Sequence, residues 1–281
     1  MTTDQYKQIY LKQLATVYPE HEINSIFQIV CEDVFNWSRS QYLMNRRADL
    51  DHLQQEILSN ALQELKTSKP VQYITGKAHF YGNEFKVSPA TLIPRQETEE
   101  LVDLIIKDHK SRQDLNILDL GTGTGCIAIS LALELNNASV SMIDVSKEAL
   151  EIAQENASQI GVTITSILTD VLTLSSDQMS DLDIIVSNPP YVRDLEKVEL
   201  HDNVLEHEPH TALFVADNDP LIFYRKILEL AQTALKPDGV LYFEINQYLP
   251  EETKSLAERF GFKAEVFRDL NGNWRMMRCS R

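Results

Sequence analysis

Cysteine is scarce in this 281-residue sequence, and long apolar runs are missing from it. The three cysteines, Cys31, Cys126 and Cys279, are odd in number and show no CxxC spacing, which argues against a disulfide framework or a thiolate zinc site. We expect each to be a buried free thiol. No stretch reaches the ~18 apolar residues of a membrane span, and residues 1–20 are too polar for a signal peptide. A cytoplasmic protein without a membrane partner is therefore expected.

Basic residues are also in deficit. Lys and Arg number 26 against 42 Asp and Glu, giving a net charge of −16. Residues 1–75 hold 7 basic against 9 acidic side chains, so −14 of that charge lies beyond them. Nucleic-acid enzymes use clustered Lys and Arg to bind phosphates, so no direct nucleic-acid partner is expected. The acidic part would suit a basic partner or a cationic cofactor, although most of these charges need only keep the protein in solution.

Glycine is absent before Gly76, and the segment ahead of it is helical in pattern. Apolar residues recur at helical spacing from about residue 4 to residue 66, which predicts a compact bundle of several helices with no catalytic motif. Two strand-like runs follow on either side of Gly82-Asn83, which predicts a β-hairpin. Phe80 and Phe85 in this hairpin either wall a pocket or fill a core, and the core role is favoured.

Glycines then cluster directly after a buried apolar run. Ile117–Leu120 leads into Gly121-Thr122-Gly123-Thr124-Gly125 and a helix-like segment, an arrangement that lets the backbone approach a nucleoside-type ligand. Asp144 follows Gly121 by 23 residues, at the end of the next apolar run, where a carboxylate would meet ribose hydroxyls. Asp170 ends a third strand-like run, where an acceptor could meet an adenine amino group. Together these residues predict a nucleoside-cofactor site.

A second candidate site is the turn Ser187-Asn188-Pro189-Pro190-Tyr191, which closes an apolar run. The two prolines remove backbone donors and fix φ near −65°, so the turn is rigid and its carbonyls remain free to accept hydrogen bonds. The Asn188 amide and the flat ring of Tyr191 indicate a site for an amide or amine. An ordinary strand-ending turn is the alternative, because Asn-Pro and Pro-Pro are common in loops.

From residue 117 onward, strand-like and helix-like segments alternate, which predicts an α/β domain with a doubly wound, mostly parallel sheet. We place a helical bundle at 1–73, a linker with the hairpin at 74–95 and the α/β domain at 96–281. Residues 193–218 are predicted to form a long loop. Its histidines show no HxxxH spacing and no supporting cysteine, so no metal site is predicted.

With these motifs the chain resembles the class I S-adenosylmethionine-dependent methyltransferases, and more closely the release factor glutamine methyltransferases. The resemblance covers nearly the full length and includes the segment Leu92-Ile93-Pro94-Arg95-Gln96-Glu97-Thr98-Glu99 and Glu208–Leu213. The glycine turn alone is shared by most of the superfamily. Asn-Pro-Pro-Tyr also occurs in DNA adenine methyltransferases and in some RNA and ribosomal-protein methyltransferases. The sequence departs from the family at Gln96, usually proline, and at Val171, where an aromatic residue can stand.

The resemblance implies a seven-stranded Rossmann-like methyltransferase domain preceded by a bundle that recognises the substrate. The implied reaction moves a methyl group from S-adenosylmethionine to the side-chain amide nitrogen (N5) of a glutamine in peptide chain release factors, supporting translation termination and leaving S-adenosylhomocysteine. The implied cofactor contacts are Gly121, Thr122, Gly123, Thr124, Gly125, Asp144, Asp170, Val171 and Asn188. Asn188 and Pro189 would be catalytic, accepting the two amide N–H bonds, and Pro190 and Tyr191 would complete the substrate site. No metal and no general base are implied, and a monomer is expected.

Three other functions compete with this one. A nucleic-acid amino methyltransferase acting at adenine N6 or guanine N2 would use the same turn on a flipped base, but it predicts a basic face. A nicotinamide dehydrogenase would have GxGxxG in place of the GxGxG found here, and would leave the Asn188 turn without a role. A non-catalytic binding module would not need the intact Asn188.

Overall fold

The computed structural model describes residues 1–175 and 179–281, and their contacts divide them into two compact units. The first unit comprises Met1–Lys77 with His201–His207, and the second comprises Ala78–Leu200 with Glu208–Arg281. The domain bounds placed at 73/74 and 95/96 stay a prediction.

The described residues form helices and strands with the following bounds. The helices are α1 (Thr3–Leu14), α2 (Glu20–Phe35), α3 (Arg39–Asn45), α4 (His52–Leu65), α5 (Val71–Thr75), α6 (Gln96–His109), α7 (Cys126–Glu134), α8 (Lys147–Ile160), α9 (Asp202–His207), α10 (His210–Leu213), α11 (Ile222–Ala234) and α12 (Pro250–Arg259). The strands are β1 (Lys77–Phe80), β2 (Asn83–Lys86), β3 (Asn116–Leu120), β4 (Ser139–Asp144), β5 (Thr165–Leu168), β6 (Leu182–Ser187), β7 (Val192–Arg193), β8 (Phe214–Val215), β9 (Leu235–Glu244), β10 (Lys263–Arg268) and β11 (Trp274–Ser280).

The first unit is a helical bundle whose helix starts are encoded locally. Helices α1, α3 and α4 each begin with a capping box, in which a Thr, Ser or Asp side chain and a Gln three residues later satisfy free backbone N–H groups. Apolar side chains from α1, α2 and α4 fill the interior, and the buried Tyr10 hydroxyl donates to the Leu58 carbonyl at 2.7 Å. The predicted bundle is thus present, in a unit that also includes α9.

The second unit is built on a seven-stranded sheet with the order β10-β11-β9-β6-β3-β4-β5. The strands from β9 to β5 in this order are parallel, and β11 is antiparallel to both of its neighbours. This confirms the predicted doubly wound, mostly parallel sheet. Strand β6 is buried on both faces of the sheet. On one face, Ile184 and Val186 pack in the core that includes α6, α7 and α8, and on the other face Ile185 packs in the core that includes α11 and α12.

The hairpin β1–β2 contributes to the core, as predicted. Phe80 and Phe85 are fully buried and meet edge to face, with ring centroids 6.0 Å apart. The three cysteines are buried free thiols, which also agrees with the prediction. Within the two described stretches, no helix is both long and apolar enough to cross a membrane.

The prediction that residues 193–218 form a long loop is wrong. That segment contains a 3-10 helix at Asp194–Glu199, the short helices α9 and α10, and the two-residue strand β8, which pairs with β7. Each of these elements is shorter than the window over which apolar periodicity can be recognised, so the sequence pattern gave no sign of them.

Candidate active site

The parallel strands bring the predicted site residues to one edge of the sheet. Strands β3, β4, β6 and β9 end at Leu120, Asp144, Ser187 and Glu244, and the carboxyl ends of parallel strands share an edge. A cavity of about 400 Å³ opens there, within the size range of small-molecule sites. Its lining includes most of the predicted contacts: Gly121, Thr122, Gly123, Thr124, Asp144, Asp170, Val171, Asn188, Pro189 and Pro190.

The glycine turn is hydrogen-bonded to the end of β4 and to α8. The backbone N–H groups of Gly121 and Thr122 both donate to the Ile143 carbonyl, at 2.9 and 3.0 Å. Asn156 of α8, fully buried, donates to the Thr124 carbonyl at 2.9 Å and accepts from the Lys86 N–H of β2 at 2.7 Å. A single side chain therefore ties the turn to the hairpin.

Gly125 differs from the other residues of the turn, because it is not among those that line the cavity. A Cβ on Gly125 would stand 3.1 Å from both Ala153 Cβ and Ile129 Cδ1, so this glycine lets α7 pack against α8. Apart from the adjoining residues of the turn, no heavy atom of the described residues lies within 4 Å of a Cβ built on Gly121 or Gly123. The backbone of the turn is therefore open to close approach at these two positions.

Three aspartates lie on or beneath this part of the cavity. Asp144 accepts from the Gly123 N–H at 2.8 Å and from the Ser146 N–H at 2.9 Å, which fixes its carboxylate at the rim. Asp170 accepts from the Leu172 N–H at 2.8 Å and caps the 3-10 helix Val171–Thr173. Asp119 lies fully buried beneath the turn, and burial raises its pKa to about 7 although the Thr122 hydroxyl donates to it at 2.6 Å.

The Asn188 turn is anchored to the sheet and to α6. The Ser187 hydroxyl donates to the Leu120 carbonyl at 2.7 Å, which joins the ends of β6 and β3. The Asn188 Nδ2 donates to the Thr98 hydroxyl at 3.3 Å, and Thr98 in turn donates to Glu244 Oε2 at 2.6 Å. The Ser187 hydrogen bond therefore fixes the backbone ahead of Asn188, and Thr98 on α6 fixes the Asn188 carboxamide itself.

This turn also lines a second, smaller cavity of about 50 Å³. Asn188 and Pro189 line both cavities, so the turn forms a shared wall. The smaller cavity has room for a few water-sized groups, since one such group needs ~10–15 Å³. Its remaining lining residues are Leu92, Arg95, Tyr191, Val192, Ala212, Leu213 and Glu244.

Tyr191 and Glu244 form the polar end of the smaller cavity. The Tyr191 hydroxyl donates to Glu244 Oε1 at 2.8 Å and accepts from Arg275 Nη1 at 3.3 Å. Glu244 is only 2% exposed, and burial raises the pKa of its carboxyl while the hydroxyls of Thr98 and Tyr191 act against that rise. Burial also raises the pKa of Tyr191. The predicted substrate residue Tyr191 is therefore fixed through its hydroxyl.

Sequence reasoning missed three polar residues of the site. Glu244 ends a strand at the same edge as Asp144, so the rule that identified Asp144 would also have found it. Thr98 and Arg95 lie in the Pro-Arg-x-Glu-Thr-Glu segment, which was singled out without assigning either a role. Arg95 lines both cavities, and its Nη2 donates to the buried Glu208 at 2.5 Å.

Comparison with known proteins identifies the family. Two family models match: the "Methyltransferase small domain" over residues 96–212 and the "PrmC N-terminal domain" over residues 10–76. The release factor glutamine methyltransferase of Flavobacterium psychrophilum is 50% identical over 284 residues, covering 100% of this chain and 99% of that protein.

Two solved structures share the fold. A methyltransferase from Pyrococcus furiosus has a TM-score of 0.52 at 18% identity, covering 79% of this chain and 98% of that one. A 16S rRNA N2 methyltransferase of T. thermophilus, in complex with AdoMet and guanosine, has a TM-score of 0.51 at 18% identity, covering 73% of this chain and 49% of that one. The fold is thus that of a methyltransferase, and the full-length match at 50% identity shows that the chain belongs to the release factor glutamine methyltransferases.

Proposed function

We propose that this chain transfers the methyl group of S-adenosylmethionine to the side-chain amide nitrogen (N5) of a glutamine in peptide chain release factors, and so supports translation termination in the cytoplasm. Family membership supports this reaction. The observation that carries it is the shared wall formed by Asn188 and Pro189, which line both a nucleoside-sized cavity and a second, smaller cavity. An acceptor nitrogen held at this wall would face the larger cavity.

The larger cavity fits S-adenosylmethionine. Its volume of about 400 Å³ is adequate, the open positions at Gly121 and Gly123 allow close backbone approach, and Asp144 and Asp170 offer acceptors for ribose hydroxyls and an adenine amino group. Val171, also in the lining, would pack against the adenine without stacking. When bound, the cofactor supplies an electrophilic methyl group on a sulfonium centre. Its positive charge suits a cavity lined by two aspartates.

The chain's own contribution at the acceptor is orientation. A carboxamide nitrogen is a poor nucleophile, because its lone pair is delocalised into the carbonyl group. We assign the Asn188 Oδ1 and the Pro189 carbonyl as acceptors for the two N–H bonds of the substrate amide, which turns the nitrogen lone pair toward the larger cavity. Pro189 and Pro190 keep the turn rigid, so these acceptors need not reorganise during the reaction. The extra proton leaves the nitrogen after methyl transfer, and we assign no general base.

The test is methyl transfer from labelled S-adenosylmethionine to a purified release factor, with the factor's acceptor glutamine replaced by alanine in a parallel sample and with bulk DNA and rRNA as further substrates. Label on the factor that disappears with the glutamine is the expected result. Label on nucleic acid in place of the factor would refute the proposal and favour an amino methyltransferase that acts on a base.

We further infer that the helical bundle binds the body of the release factor, because it contains no catalytic motif yet matches a family model in its own right. Deleting residues 1–72 should then raise KM for the intact factor far more than for a short glutamine peptide. Equal effects on the two substrates would contradict this role. We expect the enzyme to act as a monomer, with no metal ion.

A further inference from the structure

The orientation of the Asn188 carboxamide determines whether it can serve the proposed reaction. A carboxamide has nearly the same shape when its oxygen and nitrogen are exchanged, but only the oxygen can accept an N–H from a substrate amide. If the group turned over, an NH₂ would face an NH₂ and the substrate would lose one of its two hydrogen bonds. Some neighbouring group must therefore distinguish the two ends of the Asn188 side chain.

The hydrogen bonds around Glu244 make this distinction. Arg275 can only donate, so its contact with the Tyr191 hydroxyl at 3.3 Å directs the tyrosine proton to Glu244, 2.8 Å away. As a carboxylate, Glu244 can only accept, so the Thr98 hydroxyl gives it its single proton, across 2.6 Å. Two buried donors thus converge on one buried carboxylate.

Thr98 has no second proton, and its oxygen therefore faces Asn188 as an acceptor. At 3.3 Å the matching group is the Asn188 Nδ2, and the Oδ1 would be repelled there by the lone pairs of the threonine. The network of Arg275, Tyr191, Glu244, Thr98 and Asn188 consists of two donor paths that converge on Glu244, one from Arg275 through Tyr191 and one from Asn188 through Thr98. It crosses from β11 through the turn after β6 and the end of β9 to α6 and back to the turn.

We propose that Thr98 and Glu244 are positioning residues of the methyl transfer, which orient the Asn188 carboxamide so that its oxygen is presented to the substrate amide. This inference rests on the proposed function. Each residue lines a cavity that Asn188 also lines, Thr98 the larger one and Glu244 the smaller one. Neither residue needs to touch the reacting nitrogen to exert this effect.

The central test compares Thr98→Val with Thr98→Ser in the full-length protein. Valine keeps the shape of the side chain but removes both hydrogen bonds, whereas serine keeps the hydroxyl. We expect Thr98→Val to lower kcat for a glutamine peptide about 10²-fold, the size of effect that misplacing a reacting group can have, and Thr98→Ser to restore most of the rate. The dissociation constant for S-adenosylmethionine, measured by calorimetry, should change less than about threefold, because the glycine turn, Asp144 and Asp170, which are proposed to hold the nucleoside, are unchanged in this variant.

A matched control is Thr253→Val on α12. Thr253 is also fully buried, and its hydroxyl donates to the Leu249 carbonyl at 2.7 Å, but it lines neither cavity. The control therefore measures how much stability is lost when any buried, hydrogen-bonded threonine hydroxyl is removed. We expect it to lower Tm about as much as Thr98→Val does while leaving kcat unchanged.

A coupling measurement separates orientation from a merely structural effect. If Thr98 acts through the Asn188 carboxamide, Thr98→Val should lower the rate of an Asn188→Ala enzyme by less than about twofold, because no group remains to be oriented. Equal factors in the two backgrounds would overturn the inference, as would a normal kcat in Thr98→Val. Methylation of the release factor by the unmodified enzyme is measured in the same series, so failure of the proposed function would show as the absence of that reaction.

The pH dependence gives an independent readout. The groups that contact the Glu244 side chain or lie next to a contact are Thr98 on α6, Tyr191 and Arg275. Glu97 on α6, Cys126 on α7 and Tyr224 on α11 also interact with it electrostatically. A protonated Glu244 can donate to Thr98 and so release the constraint on Asn188. Activity should therefore fall on the acid side at a pH above the ordinary range of glutamate, and Glu244→Gln should remove that dependence while lowering kcat at neutral pH. A Glu244→Gln enzyme with an unchanged kcat and pH profile would contradict the inference.

Discussion

Gly125 offers a quantitative test of whether each glycine of the turn serves cofactor binding or helix packing. The family resemblance places Gly125 among the cofactor contacts, whereas the structure has it at the start of α7, with φ near 80° and α8 directly above it. Replacement by alanine would force a side chain into a left-handed backbone conformation, at a cost of about 1–2 kcal/mol. The new Cβ would also stand 3.1 Å from Ala153 Cβ and Ile129 Cδ1, and overpacking of this kind costs a further 1–3 kcal/mol or so.

Gly161 is the matched control, because it ends α8 with φ near 88°, and in the part of the chain that the structure describes only its own chain neighbours come within 4 Å of a Cβ built on it. Gly161→Ala therefore carries the backbone cost alone, and the packing cost is the difference between the two variants. For a unit of roughly 200 residues, that difference corresponds to a Tm for Gly125→Ala lower by a further ~2–12 °C. The assay is thermal unfolding followed by circular dichroism, supported by urea midpoints. Equal Tm values for the two variants would refute the packing role.

Three further outcomes are expected. Asn188→Ala should lower kcat/KM for the release factor about 10²–10³-fold without lowering Tm, and near-normal label transfer would contradict its catalytic role. Asp144→Ala should weaken S-adenosylmethionine binding about 10–100-fold in calorimetry, because it removes a charged acceptor that also holds the Gly123 N–H; an unchanged dissociation constant would exclude that contact. Asp119 has a folded-state pKa of about 7 against an ordinary 3.8, so its contribution to stability is full below pH ~4 and is lost as pH rises to ~7. Between pH ~4 and ~7 the free energy of unfolding of Asp119→Asn should therefore rise relative to that of the unmodified protein, by up to roughly 4 kcal/mol. If the urea midpoints of the two proteins change in parallel over this pH range, Asp119 does not titrate in this way.

Much of the fold follows from local sequence pattern. Strands buried on both faces give continuous apolar runs, and the residue that ends such a run in a parallel sheet lies at the ligand-binding edge. That rule was sufficient to place Asp144, Asp170 and Asn188 at one edge. The same rule would have placed Glu244 there, but Glu244 belongs to no recognised motif and was not assigned a role.

The contacts that complete the site could not be predicted in this way. Thr98 and Asn188 are 90 residues apart, and Thr98 and Glu244 are 146 apart, so only the strand order and the position of α6 bring them together. Thr98 itself lies in the polar first turn of α6, ahead of the apolar pattern that begins at Leu101. Elements of two to six residues between Val192 and Val215 lie below the length at which periodicity is informative.

The position of β11 has a consequence for the order in which the enzyme matures. β11 lies between β9 and β10 in the sheet although it follows both in the chain, and in the described sheet β10 pairs with β11 alone. A chain emerging from the ribosome therefore presents β10 before β11, the strand with which it pairs, has been made. β11 also brings Met276 opposite Glu244 and Arg275 to the Tyr191 hydroxyl. Until residues 274–280 have been synthesised and inserted, the buried Glu244 carboxylate has no neighbouring strand on that side and the Tyr191 hydroxyl lacks its Arg275 donor, so we expect the site to be complete only once β11 is in place.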